Sequence, residues 1–440
     1  MKLKHLLVAT LATFCLSNLV AAELYVSKET GKNSNAGTKE APFKNLQKAL
    51  DKAAAGDVIY VAAGNYFGLM DKGYLEMKKP VKLYGGYTTD FSARDILENR
   101  TLIMPPHTSN GTSSNNALLN IYPTEAGDIV VDGFIFDKGE SNGYHATEGK
   151  PEGVETGMLI HPPTRGANNI LTVVNPHIKG TIPKGTVLVQ NNVFLNGSHY
   201  AIQADIKEGK FSVLNNVFVA NTMAAAEIRG ASAKAHDSSL EFAYNTILFT
   251  WSRTKANEDM GYGVRAMTRI DTNIHNNLIG CSSFAGIDRT RIDSDLKMEG
   301  DRVINIDNNR FFANKQADMA LPSGGGKFLR IYAEMMEDAE GVTSVENNAE
   351  LEDVEALKNV INQAYLTGFL NAVYTETTDY DPNSPANQIR SMFGLNQVGT
   401  MQSSASMFAN RYPQDDALKL FGVVEDIGAQ AINYDTEPAN

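Results

Sequence analysis

Several residue types and patterns are scarce in this sequence, and each scarcity excludes a class of protein. The 440 residues include two cysteines, Cys15 and Cys281, and one tryptophan. Because Cys15 lies in a segment with the features of a removable signal, no intramolecular disulfide is expected in the mature chain. No apolar run long enough to span a bilayer follows that segment, so no membrane insertion is expected after its removal. The net charge of −12 argues against nucleic acid as a partner.

The N-terminal segment has the three parts of a secretory signal. Lys2 and Lys4 form a positive start, residues 6–19 are largely apolar, and Val20-Ala21-Ala22 is a small-residue cleavage site. The sequence therefore predicts a signal peptide of the Gram-negative type over residues 1–22. A secreted or periplasmic location is expected for the mature protein, which also suits a chain without disulfides.

A repeated unit organises the middle of the chain. Five segments share a β-rich run, then one or two asparagines, then a second apolar run: "TVLVQNNVFLNG", "FSVLNNVFVAN", "LEFAYNTILFT", "TNIHNNLIG" and "VINIDNNRFFAN". Their aligned asparagines are Asn192, Asn216, Asn245, Asn277 and Asn309. The intervals of 24 to 32 residues fit one coil of a parallel β-helix, with three short strands and three turns.

The aligned asparagines are interpreted as structural. Asparagine tolerates the left-handed backbone of a tight turn. Its amide can also bond to the copy one coil away, since neighbouring strands lie about 4.8 Å apart. The sequence therefore predicts a buried ladder and no ligand site at these positions.

The segment "LYVSKETGKNSNAGTKEAPFKNLQKALDKAAAGDVIYVAAGNY", residues 24–66, resembles the opening of secreted right-handed β-helix proteins of the pectate-lyase-like superfamily. Its helix, expected over residues 44–54, has Leu46, Ala49, Leu50 and Ala53 on one face, which suits a cap on the first coil. The fold class is thus an all-β, right-handed parallel β-helix with three strands per coil, an N-terminal capping helix and a helical or irregular C-terminal extension. Residues 23–322 are assigned to the capped β-helix. Residues 323–440 are expected to cap it or pack along its side.

The third strand of each coil is predicted to present a charged outer face. The inward residues are aligned as Ile160, Ile202, Ile228, Val264 and Ile287. The next residue of each strand then points outward, giving His161, Gln203, Arg229, Arg265 and Asp288. This alignment places Arg229 and Arg265 one coil apart, where like charges repel. Small residues beside them, such as Gly230 and Gly263, leave room for a polymer to cross the coils.

The resemblance implies that an acidic polysaccharide is the partner and that it lies on this sheet. The reaction it implies is β-elimination at a uronate, or the related C5 epimerisation. Both reactions need the sugar carboxylate neutralised, and Arg229 and Arg265 are the candidates, because arginine binds carboxylates in a bidentate manner. Both also need a base for the C5 proton, for which Lys234, His236 and Tyr262 are the candidates.

Other residues are expected to contact the substrate. They are His161, Gln203, Asp205, Glu227 and Asp288 on the strands, and Trp251, Arg253 and Lys255 in the segment before the Arg265 strand. Trp251 is either a platform for a sugar ring or a residue that holds its loop down. No metal site is predicted, although Glu227 with Asp205 is an alternative pair of Ca²⁺ ligands, since some lyases of this superfamily use that ion.

Two functional classes remain open. The Lys/Arg lyases of this fold carry a Glu-x-Glu-Ile strand, whereas this strand reads Ala225-Ala226-Glu227-Ile228-Arg229 and lacks the first acid. The first class is a polysaccharide lyase, which the paired arginines favour. The second is a non-catalytic β-helix that binds glycan or acts as an adhesin-like surface protein, which the incomplete motif favours. The fold hosts both classes and does not choose between them.

Overall fold

The computed structural model describes residues 21–67, 74–104, 117–137, 178–197, 200–231, 236–252, 261–266, 269–289, 303–323, 327–333, 339, 342–374, 380–399 and 411–433. The first coils contain β1 (Glu23–Val26), β2 (Val58–Ala62), β3 (Gly64–Tyr66), β4 (Leu75–Met77), β5 (Lys82–Tyr87), β6 (Thr101–Ile103), β7 (Leu119–Ile121), β8 (Ile129–Asp132) and β9 (Ile135–Asp137). The middle coils contain β10 (Ile178–Ile182), β11 (Gly185–Gln190), β12 (Val193–Leu195), β13 (Ile202–Ile206), β14 (Gly209–Leu214), β15 (Val217–Val219), β16 (Ala224–Gly230), β17 (Ser238–Ala243) and β18 (Thr246–Thr250). The last coils contain β19 (Tyr262–Ala266), β20 (Asp271–His275), β21 (Leu278–Ser282), β22 (Ala285–Asp288), β23 (Ile304–Asp307), β24 (Arg310–Phe312), β25 (Ala317–Ser323), β26 (Lys327–Ile331) and β27 (Ala349–Glu350).

These strands form three sheets of nine strands each, so the predicted parallel β-helix is confirmed. Sheet A has the order β1-β2-β5-β8-β11-β14-β17-β20-β23, and sheet B runs β3-β6-β9-β12-β15-β18-β21-β24-β27. Sheet C runs β4-β7-β10-β13-β16-β19-β22-β25-β26, and its last pair is antiparallel. Each coil contributes one strand to each sheet, so residues at one position of successive coils stack in a file along the axis.

The interior is filled by stacked side chains from successive coils. Phe136, Phe194 and Phe218 lie nearly parallel, with ring centroids 5.1 and 4.7 Å apart. Aliphatic residues from all three sheets surround them in one continuous buried cluster. Burial of such large apolar surfaces is the main favourable contribution to folding of the coils.

The asparagine ladder is present and is longer than the repeat predicted. Each Nδ2 donates to the Oδ1 of the next asparagine at 2.9–3.1 Å, and the ladder continues from Asn309 to Asn348. The left-handed backbone belongs to the preceding residue in each coil, such as Asn215 and Asn276, and not to the ladder residue itself. The left-handed backbone and the hydrogen bond between coils, which were both predicted for one asparagine, therefore belong to two consecutive residues.

The first coil is closed by helix α1 (Leu46–Lys52). Its buried Gln47 side chain accepts from the Glu76 N–H at 2.8 Å and donates to the Glu76 carbonyl at 3.0 Å. This amide supplies both hydrogen bonds that a neighbouring strand would give to β4. Because an open strand edge would otherwise be exposed, α1 caps the stack as the sequence predicted.

The C-terminal segment packs on sheet B. Its helices are α2 (Glu355–Lys358), α3 (Gln363–Val373), α4 (Pro385–Met392) and α5 (Gln414–Leu418). Phe369 and Tyr412 join Phe249 and Trp251 of the sheet in one buried cluster. α2 and α3 are separate helices, because Asn362 caps the start of α3 by accepting from the Tyr365 N–H.

We expect replacement of a ladder residue to destabilise the fold strongly. Asn245→Ala removes donors to the Val213 carbonyl and Asn277 and the acceptor of the Asn216 N–H, all buried. Unsatisfied buried polar groups cost about 1–3 kcal/mol each, so unfolding should become easier by roughly 3 kcal/mol or more. Urea unfolding followed by circular dichroism measures the change. Asn308→Gly, at a left-handed position, is the control, and equal effects of both variants would contradict a special role for the ladder.

The single tryptophan should report the docking of the C-terminal segment. Trp251 donates its indole N–H to the Tyr365 hydroxyl at 3.0 Å, and both side chains are buried. Tyr365→Phe removes that acceptor, which should cost about 1–2 kcal/mol. The tryptophan fluorescence transition in urea should therefore move to lower concentration. Tyr380→Phe, an exposed tyrosine bonded to Gln397, is the control and should leave the transition in place.

Candidate functional site

The outer face of sheet C carries two polar files. The first passes from Gln203 through Glu227 and Arg265 to Asp288, one residue from each of four neighbouring strands. The second contains Asp205 and Arg229, which pair directly across β13 and β16. The two files are two residues apart along the strands, so their side chains emerge on the same face.

This register corrects the predicted pairing of the arginines. Ile202 lies opposite Ala226 and not Ile228, and Glu227 lies opposite Arg265. The alignment by bulky aliphatic residues was therefore wrong by two residues at β16, because small Ala226 also occupies an inward position. A shift of two preserves which side chains face outward, but it changes their neighbours. Arg229 and Arg265 each lie beside acids, so no stacked arginine pair exists.

Arg265 is the centre of a buried polar cluster. Its Nε donates to Asp288 Oδ2 at 2.8 Å, and its Nη1 donates to Glu227 Oε2 at 3.1 Å. The same Nη1 lies 3.4 Å from the Tyr200 hydroxyl, and Gln203 donates to the other Glu227 oxygen at 3.2 Å. We call these residues, with Tyr262, the Arg265 cluster. The Arg265 side chain is 5% exposed, and Glu227 and Asp288 are buried with it.

The electrostatics of this cluster favour fixed charges. Burial by itself would lower the pKa of Arg265, but the charge and hydrogen bond of Asp288, together with the charge of Glu227, outweigh burial and raise the pKa. Burial and then the Glu227 carboxylate raise the pKa of the Tyr200 hydroxyl, which donates a hydrogen bond to Glu227. Tyr200 therefore stays protonated and can act as a donor, not as a base, near neutral pH.

The second arginine is in a different environment. Arg229 donates from Nη2 to Asp205 Oδ2 at 3.1 Å and from Nε to Asp205 Oδ1. Its side chain is 48% exposed, and that of Asp205 is 32% exposed. The hydrogen bond with Asp205 is the main cause that raises the pKa of Arg229. Arg229 thus presents an accessible guanidinium that already holds a carboxylate in bidentate geometry.

An aromatic group borders the charged files. Tyr262 places its ring 4.8 Å from the Arg265 guanidinium and packs edge-on against Phe284 at 5.1 Å. Arg330 lies over the other aromatic residue, 4.7 Å from the Phe284 centroid. Tyr262 was predicted as a base, whereas the structure places it as a cation–π partner of Arg265.

The remaining predicted residues lie elsewhere. His236 is exposed, has a left-handed backbone and contacts Asp271 of sheet A through Nδ1 at 2.6 Å, so the structure separates it from the Arg265 cluster. Trp251 is buried beneath α3, which corrects the sugar-platform interpretation and leaves the alternative of a packing residue. The candidates that fall outside the described residues are His161, Lys234, Arg253 and Lys255.

The sequence analysis missed Tyr200, Phe284 and Arg330. Tyr200 and Tyr262 both stand at the start of a sheet C strand, directly before an inward stretch, and this recurrence of an aromatic residue was the available signal. Arg330 gave no signal, because it reaches the face through an antiparallel strand that breaks the repeat.

Within the described ranges, no three His, Cys, Asp or Glu side chains are grouped to hold a metal ion. Glu227 and Asp205, the alternative Ca²⁺ ligands, each accept hydrogen bonds from an arginine. No helix in the described part of the chain is long and apolar enough to cross a membrane.

Comparisons with known proteins find one family of unknown function and several distantly similar structures. Residues 29–114 match a family described as "Protein of unknown function (DUF1565)", and a search of curated proteins finds no significant match. A rhamnogalacturonan lyase structure is 12% identical, with 93% of this chain and all of that chain covered and a TM-score of 0.36. A GH136 lacto-N-biosidase from Eubacterium ramulus is 9% identical, with 75% of this chain and 68% of that chain covered and a TM-score of 0.35. These neighbours are named as carbohydrate-active enzymes, but similarity at this level transfers no site and no activity.

The two arginines should differ sharply in their contribution to stability. Arg265→Met leaves Glu227 and Asp288 buried without their common partner, and breaking a buried ion pair costs about 3–5 kcal/mol. Arg229→Ala removes an exposed pair, which is worth about 0–1 kcal/mol. Urea unfolding at pH 7 measures both. Similar midpoints for the two variants would show that the Arg265 cluster does not support the fold.

Proposed function

We propose that this protein acts on or binds an acidic polysaccharide, and that the polymer lies across the outer face of sheet C. The observation that carries this proposal is the Arg229–Asp205 pair, an accessible guanidinium already arranged for a carboxylate. An exposed ion pair contributes about 0–1 kcal/mol, so a uronate carboxylate can replace Asp205 at small cost. The buried Arg265 cluster beside it then supports the face.

Within this proposal, each residue has a defined task. Arg229 neutralises the sugar carboxylate, which is the step that makes the neighbouring C5 proton more acidic. Arg265 is a positioning residue, since its two hydrogen bonds fix the orientations of Glu227 and Asp288. Tyr200 donates its one hydroxyl proton to Glu227 and helps to hold that carboxylate in place.

Lyase and binding protein remain as two forms of this function. A lyase also needs a base near C5, and Lys234 remains the proposed candidate for it. A non-catalytic binding protein is favoured by one observation: Asp205, Glu227 and Asp288 all accept hydrogen bonds from arginine, so these acids are engaged as partners. We also propose that the protein works outside the cytoplasm, as its N-terminal sequence indicates.

The exchange of Asp205 for a uronate gives a sharp test. Asp205→Asn removes the competing carboxylate and should increase affinity for polygalacturonate, alginate or a glycosaminoglycan several-fold. Arg229→Ala should lower the same affinity about tenfold or more, the equivalent of a charge-assisted hydrogen bond. Isothermal titration calorimetry at constant salt measures both effects. A neutral polymer should show neither.

Controls and a rate measurement complete the test. Lys184 is an exposed cation in the turn between β10 and β11, and it pairs with Glu208. Lys184→Ala removes this cation and should leave binding unchanged. Ultraviolet absorbance of the C4–C5 double bond, followed with and without Ca²⁺, detects elimination. An increase in absorbance that is lost in Arg229→Ala would establish a lyase. Binding of the polymer with no increase in absorbance would favour the glycan-binding form. Equal affinities of wild type, Arg229→Ala and Asp205→Asn for every acidic polymer would refute the site.

A further inference from the structure

A third polar file, separate from the two on the outer face of sheet C, runs inside the turn from sheet B to sheet C. It contains Asn221, Thr250, Ser282 and Asn314, one residue from each of four successive coils, all buried. Thr250 and Ser282 are direct register partners, and the bridge between Thr222 and Trp251 places Asn221 beside Thr250. Asn314 continues the file, since its Oδ1 accepts from the Ser282 N–H at 3.0 Å.

The asparagine side chains at the two ends of the file each link two neighbouring coils. Asn221 donates to the Phe194 carbonyl of the preceding coil at 2.9 Å, and Asn314 donates to the Ile279 carbonyl at 3.1 Å. Thr250 and Ser282 occupy the same position in the two intervening coils. Their side chains are shorter than asparagine and carry no amide, so they cannot supply the same link between coils.

Three oxygen atoms at these positions have no hydrogen-bond partner in the part of the chain that the structure describes. They are Asn221 Oδ1, Thr250 Oγ1 and Ser282 Oγ. A buried polar atom without a partner costs about 1–3 kcal/mol, and three in one file call for a physical explanation. The main asparagine ladder is the contrast, because each of its amides is bonded to the next.

The spacing of the file suits water. Successive strands lie about 4.8 Å apart. Two hydrogen bonds of about 2.8 Å that meet near the tetrahedral angle span about 4.6 Å, so one water can bridge each pair of neighbouring oxygens. A buried water also needs two to four polar partners. The Phe218 and Ile247 carbonyls, which occupy the register positions of Phe194 and Ile279, are additional acceptors.

We propose that two buried water molecules complete this file, one between Asn221 and Thr250 and one between Thr250 and Ser282. They take the place of the two side-chain amides that would be present if Thr250 and Ser282 were also asparagines. Water fits better than a cation, because the three oxygens belong to amide and hydroxyl groups and carry no charge to offset a buried ion. Ser282 ends β21 shortly before β22, so the water beside it helps to fix the strand that carries Asp288.

A crystal structure of the full chain at high resolution is the deciding experiment. Two ordered density peaks, each within hydrogen-bonding distance of the oxygens named, would support the proposal. Empty density at both positions, or a site whose contact distances and scattering identify a metal ion, would overturn it.

A stability series provides an independent test whose sign differs between the alternatives. Thr250→Val and Ser282→Ala remove hydroxyls. If waters are bound there, both variants lose hydrogen bonds and their urea midpoints fall. If the hydroxyls are unsatisfied, replacement by an apolar group of similar size relieves a penalty and the midpoints stay or rise, which would overturn the proposal. Thr186→Val, on an exposed position of β11, is the control for the substitution itself.

Discussion

The buried asparagine ladder is the interaction on which the rest of this structure depends. Each rung bonds to the next rung, to a carbonyl of the preceding coil and to a backbone N–H, all away from water. A slip of one residue would break these bonds at once in a place where water cannot replace them. The coils can therefore differ in length, from 24 to 39 residues between rungs, while the stacking register stays the same.

Because the ladder fixes the register, it also determines which charged residues are neighbours on sheet C. Glu227, Arg265 and Asp288 stack as acid, base and acid, which is the order that favours a single buried guanidinium between two carboxylates. Arg229 belongs to a neighbouring file and stays near solvent with Asp205. The same fold thus buries one arginine between two acids and leaves the other partly exposed.

The architecture of this chain was predictable from its repeats, because the interval between asparagines and the alternation of apolar residues are local signals. The pairing on sheet C was not predicted, since bulky aliphatic residues guided the alignment and Ala226 fills an inward position opposite Ile202. Charge complementarity would have been the better guide. Moving the alignment of β16 by two residues puts both arginines beside acids. The burial of Trp251 depends on Tyr365, 114 residues away, and no local pattern encodes such a contact.

The contacts of the candidate base residues also limit the chemistry that sheet C can perform. His236 lies just before β17, has a left-handed backbone and pairs with Asp271 of sheet A. Tyr262 and Tyr200 are committed to Arg265 and Glu227, and burial keeps the Tyr200 phenol protonated. The described part of the face therefore offers charge neutralisation and hydrogen-bond donors more readily than a base. Under the proposed function, these groups suit recognition of a carboxylated polymer, whereas elimination requires a contribution from residues beyond these files.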